Sequence, residues 1–218
     1  MSYYKKIEYK LQPKHSYKIW RNCAGCGLKT KYINTNHFRV NANGNLIDVW
    51  LIYQCETCKH TYNLSIFERV KSMTIDQRQY EKFLANDEEL SYEYGNQKAL
   101  FAKNKALIDS TELEYDIIKI EEKEVKEKEV KEKEGKEKEQ YGSQLSKEMI
   151  VIQNPYEIKL RVEKILSQMY KVSRSQVKHF IKEGMIRCAS LYTTKTTVVE
   201  MKHMEGFAIA LDDDGQKV

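Results

Sequence analysis

A chain of 218 residues, with 32% charged residues and only two prolines, has room for one or two modest domains and reads as soluble and tolerant of helices. No apolar run follows Met1-Ser2-Tyr3-Tyr4-Lys5-Lys6, and the longest apolar stretch is Val49–Tyr53, so neither an export signal nor a membrane span is expected. The net charge of +5 is uneven: residues 1–70 hold 11 Lys/Arg against 4 Asp/Glu, residues 71–118 hold 6 against 10, and residues 150–218 hold 11 against 8. Basic ends around an acidic middle are compatible with a polyanionic partner.

The first motif is a pair of Cys-x-x-Cys elements, Cys23/Cys26 and Cys55/Cys58, with 28 residues between them. Two residues between paired cysteines let a tight turn aim both sulfurs at one ion, and four thiolates close a tetrahedron around Zn2+. Gly25 and Gly27 supply the freedom of the first turn. The second pair, Cys55-Glu56-Thr57-Cys58-Lys59, lacks the trailing glycine and reads as the weaker knuckle. Between the pairs, Asn43-Gly44 is a hairpin signal followed by the β-forming run Leu46–Tyr53. A hairpin flanked by two knuckles predicts a zinc ribbon with a structural metal. A redox dithiol in each pair, or unpaired cysteines, would leave that hairpin unexplained. Cys188 stands alone as a small apolar residue, and His60 flanks the second knuckle.

Beyond the ribbon, the apolar residues Tyr80, Phe83, Leu84, Leu90, Tyr94, Leu100, Phe101, Leu107 and Ile108 recur at helical spacing and predict two or three helices. Asn86 with Glu89 reads as a capping box, and Gly95-Asn96 as a break. Lys123 to Glu139 then holds seven lysines and seven glutamates in a five-residue repeat. Many glutamates precede a lysine by four residues, so the segment is expected to be a solvated, partly helical spacer.

In the last third, Ile158, Val162, Ile165, Leu166 and Met169 define one amphipathic helix. Ser173 with Gln176 opens a second, which carries the apolar residues Val177, Phe180 and Ile181 and ends at Gly184. Arg174, Lys178 and Lys182 recur every four residues and line one side of it. Between Ile158 and Arg187 there are eight Lys/Arg and two Glu.

The run Arg161-Val162-Glu163 through Val172-Ser173-Arg174-Ser175-Gln176 to Gly184-Met185-Ile186-Arg187 resembles the αL RNA-binding fold of ribosomal small-subunit protein four, many pseudouridine synthases and bacterial tyrosyl-tRNA synthetases. The resemblance implies that the basic residues Arg161, Lys171, Arg174, Lys178, Lys182 and Arg187 contact RNA. The sequence departs from that family after Arg187, where Cys188-Ala189-Ser190-Leu191 stands in place of an Asn-Gly turn. Nearly the whole chain, apart from the Lys/Glu repeat, is also similar to an uncharacterised bacterial family known only as a domain of unknown function. That second likeness rests on the cysteine pairs, on Val40–Gly44 through Asp48–Cys55, and on the Ser-Arg element near the C-terminus.

Together these readings predict an α+β chain: a zinc-ribbon domain over 1–70, a helical segment over 71–118, a charged low-complexity spacer over 119–149 and an αL-type RNA-binding-like module over 150–218. The expected function is non-enzymatic, cytoplasmic binding of structured RNA, without membrane partners. The competing readings are a DNA-binding or transcription-associated ribbon protein and a protein-interaction scaffold. No glycine-rich nucleotide loop, Ser-His-Asp set or histidine pair at metal spacing points to an enzyme.

Overall fold

The computed structural model describes residues 3–109, 111, 113–126 and 147–202. In chain order its elements are β1 (Tyr3–Pro13), β2 (Ile19–Cys23), β3 (Leu28–Asn43), β4 (Leu46–Cys55), β5 (Thr61–Lys71), α1 (Gln77–Leu84), α2 (Glu88–Gly95), α3 (Lys98–Lys103), β6 (Leu107–Ile108), β7 (Tyr115–Lys126), β8 (Lys147–Gln153), α4 (Val162–Tyr170), α5 (Arg174–Lys182), β9 (Ile186–Cys188) and β10 (Thr196–Lys202). The strands form two sheets of five, ordered β7-β1-β8-β10-β9 and β5-β4-β3-β2-β6. Two compact units result: Pro13–Tyr115, and Met1–Gln12 with Asp116–Val218.

This corrects the expected fold class. The chain is mostly β and is not a small zinc ribbon followed by helices. The helical spacing of 71–118 holds only locally, giving three short helices that lie on the β5-β4-β3-β2-β6 sheet. The strand Tyr3–Pro13 belongs to the other sheet. Ile7, Tyr9 and Leu11 alternate with polar residues and are fully buried, the period of a half-buried strand. Their partner is distant in sequence, since β1 runs parallel to β8 with Ile7 beside Ile150 and Tyr9 beside Ile152.

The expected spacer is corrected at both its ends. Residues 119–126 continue β7, whose Ile117 is buried, and residues 147–149 begin β8. On β7, Glu122 pairs with Lys5 of β1 at 2.6 Å and with Lys119 at 2.9 Å; the expected helical pairs reach residues outside those described. The rest of the repeat, from Glu127 onward, lies outside the described residues.

In the Pro13–Tyr115 unit, β4 states its own register. Ile47, Val49, Leu51, Tyr53 and Cys55 are buried on one face, and the intervening residues are half-buried on the other. The Asn43-Gly44 turn joins β3 to β4 as expected, with Gly44 at a φ of +60°. Between Asn34 and Phe38 the register of β3 against β4 shifts. There Asn34 donates to the hydroxyls of Ser16 and Ser91, both at 2.9 Å. The core beneath the helices holds Tyr53, Leu64, Phe83 and Phe101, with Phe38 edge-on to Phe83 at 5.0 Å. Asp87, not Asn86, caps α2 by accepting from the Leu90 amide at 2.8 Å. Asn86 takes a φ of +52° and turns its carbonyl oxygen to the Phe38 amide.

In the other unit, α4 buries Val162, Ile165, Leu166 and Met169. Ser173 and Gln176 close the expected capping box at the start of α5, which packs on α4 with Val177 fully buried. Gly184 ends it at a φ of +69°.

Candidate metal centre and basic face

The two knuckles lie at the same end of the sheet because of strand pairing. One joins β2 to β3, the other joins β4 to β5, and β3 lies beside β4 with Tyr32 opposite Cys55. Within each, the residue after the second cysteine takes a left-handed conformation, Gly27 at φ +68° and Lys59 at +65°. Each also closes a matching backbone hydrogen bond, Gly27 N–H to Cys23 and Lys59 N–H to Cys55. The second knuckle therefore has the geometry of the first, with a lysine where glycine would be relaxed.

The Sγ atoms of Cys23, Cys26, Cys55 and Cys58 all lie within 4.8 Å of one another. Cys23 and Cys58 are 3.3 Å apart, and Cys26 and Cys55 are 3.8 Å apart. Sulfurs about 2.3 Å from a tetrahedral zinc would stand about 3.8 Å apart, so the cluster fits one metal ion. Gly25 permits this closeness, since a β-carbon there would stand 2.9 Å from the Cys58 sulfur.

Two side chains that sequence reasoning missed tune the sulfurs. The Thr30 hydroxyl, 3.2 Å from the Cys55 sulfur, holds that thiol down to about 5. The buried Tyr32 hydroxyl lowers Cys23. Contact with Cys58 pushes Cys26 up to about 12. At Cys58 the His60 backbone amide pulls downward, but the Cys23 and Cys55 sulfurs and burial together raise it. Four thiolates at this spacing repel one another, and a cation between them lets all four ionise. Thr30 sits where only the β3 alternation hints at it, two residues before the buried Tyr32. His60 is exposed and lies outside the sulfur group.

The basic residues form no single cluster. Arg161 caps α4, and Arg174 opens α5. Both reach Oε1 of the buried Glu163, at 3.6 Å and 3.3 Å. Lys178 and Lys182 continue from Arg174 along α5, exposed and with no ion pair among the described residues. Lys171 is the left-handed cap at the end of α4, and Arg187 lies exposed on β9. Glu163 is the contact that the sequence hid, because nothing in its spacing shows that an acid among eight cations is buried between two arginines. Of the aromatics near the ribbon, Tyr32 is buried, Phe38 joins the core and Tyr62 lies half-buried under Arg21, whose guanidinium is 3.5 Å from the ring centre.

The family described as "Protein of unknown function (DUF1062)" matches residues 40–191, well over half of the chain. The chain belongs to that family. The match takes in the second cysteine pair, the three short helices and the α4–α5 pair, but not Cys23 and Cys26. No curated protein and no solved structure matches the chain. No helix among the described residues is long and apolar enough to cross a membrane.

Proposed function

We propose that the protein is a non-enzymatic RNA-binding protein that carries a structural zinc ion and grips folded RNA through α5. The observation that carries the reading is the division of α5 into two sides. Val177 is fully buried, and Arg174, Lys178 and Lys182 are exposed. A helix anchored by its apolar side and capped at Ser173 presents cations at a fixed spacing of about 6 Å per four residues. Such an array suits phosphates along a backbone, which position a protein without reading bases. A-form RNA, with a deep and narrow major groove, is recognised by shape and backbone in this manner. The likeness of this helix pair to the αL RNA-binding motif points the same way.

Zinc is the metal that four thiolates in a closed tetrahedral set favour among common divalent ions. Cys23, Cys26, Cys55 and Cys58 would hold it and leave no open position for catalysis. All four are free thiols, a state that suits a reducing cytoplasm. The test is binding of the full chain to a structured RNA and to a DNA duplex of equal length at matched salt. Tighter binding to RNA is expected. Equal or tighter binding to DNA, or binding to neither, would overturn the reading.

A further inference from the structure

Beside α4 lies a second surface that the basic face does not account for. Leu191 and Tyr192 are 57% and 39% exposed at the tip of the segment joining β9 to β10. The tip is stiffly held: Val162 N–H bonds to the Leu191 carbonyl at 2.9 Å, and Thr193 N–H to the Leu160 carbonyl at 2.8 Å. The buried Thr193 hydroxyl also donates to the Ile158 carbonyl. Arg161 and Tyr192 form an antiparallel bridge, so the ring stands beside the arginine that caps α4. Lys159 and Arg161 lie 5.3 Å and 5.5 Å from the ring centre. Glu163 also holds Arg161, at 3.6 Å.

Leu191 and Tyr192 are held at the surface by backbone bonds, and a part-exposed aromatic ring with two cations over it has a matching ligand. A base stacks on an aromatic face, and its flanking phosphates meet the cations. A fully paired duplex offers no such base. We infer that Tyr192 is a stacking platform for one unpaired nucleotide, with Lys159 and Arg161 contacting the phosphates on either side of it. The inference rests on the RNA reading above and narrows it to folded RNA with a bulged or looped-out residue.

The test compares binding of the full chain to an RNA hairpin with a perfectly paired stem and to the same hairpin with a single bulged adenosine. The wild-type chain is expected to prefer the bulged RNA by about tenfold, the scale of one base stacked on an aromatic ring. Tyr192→Phe keeps the ring and should keep the preference. Tyr192→Leu should lose it while binding the paired stem as before, with an unchanged circular dichroism spectrum. Equal binding of the two RNAs by the wild type, or a preference that survives in Tyr192→Leu, would overturn the platform and leave the α5 reading standing. Binding to neither RNA would overturn both.

Discussion

A β-carbon on Gly25 would stand 2.9 Å from the sulfur of Cys58, closer than carbon and sulfur come without displacement. The two knuckles are thus fitted to each other across the four sulfurs, and the smallest residue is required at their contact. Gly25→Ala should weaken zinc binding by about tenfold or more, the scale seen when residues supporting metal ligands are disturbed. Competition with a colorimetric chelator would measure it. Unchanged affinity would show that the sulfur can move aside at no cost.

Lys59 gives a prediction of opposite sign. Its φ of +65° is strained for a side chain with a β-carbon and relaxed for glycine. Lys59→Gly should stabilise the zinc-bound protein by about 1 kcal/mol, read as a rise in melting temperature. A fall would mean that the lysine makes a contact worth more than the strain.

How much was legible in the sequence follows from where each partner lies. The cysteine pairs and the Asn43-Gly44 turn are local patterns, and the cysteine-bearing end of the sheet forms from neighbours in sequence. The capping box at Ser173 is local too. The other sheet was hidden because β1 pairs with β8, so that Tyr9 finds Ile152 across most of the chain, a distance at which periodicity has nothing to say. Ile7, Tyr9 and Leu11, separated by Glu8 and Lys10, carry the period-two signal of a strand, but that signal names no partner strand. At β7 the regular Lys/Glu spacing suggested a helix, whereas Tyr115, Ile117 and Lys119 turn inward on alternate positions of a strand.

That correction can be tested. Ile117 is 8% exposed on β7, and a carboxylate there would be buried without a partner in an apolar setting. Ile117→Asp should destabilise the protein by about 2–4 kcal/mol in urea unfolding. A cost below about 0.5 kcal/mol, the level of an ordinary surface change, would show that β7 does not pack its inward face at Ile117.

Gly95 tests the packing of α2 on the sheet. A β-carbon there would meet the Ser16 hydroxyl oxygen at 2.3 Å and the Asn34 amide nitrogen at 2.9 Å. Gly95→Ala should cost about 2 kcal/mol or more, because overfilling a packed site displaces its neighbours. Adding Ser16→Gly should recover much of that loss. A double variant no more stable than the single one would place the strain elsewhere.

The metal claim rests on loss of a ligand. Zinc binding in such sites is worth on the order of 10–16 kcal/mol and is coupled to folding. Cys26→Ser should therefore purify with less than one zinc per chain and lose the near-ultraviolet signal of the Pro13–Tyr115 unit. Full zinc content in this variant would rule out Cys26 as a ligand.

The central claim, that α5 grips RNA by its phosphates, meets its most direct test in the salt dependence of binding. If Arg174, Lys178 and Lys182 each neutralise about one phosphate charge, replacing all three with glutamine should reduce the slope of log affinity against log salt by about two to three. The buried Val177 and the Ser173 cap are untouched, so the circular dichroism spectrum should not change. A reduced slope, with affinity lowered by similar factors for RNAs of different sequence, is the result predicted. An unchanged slope in a folded triple variant would contradict the account and place any RNA contact away from this helix.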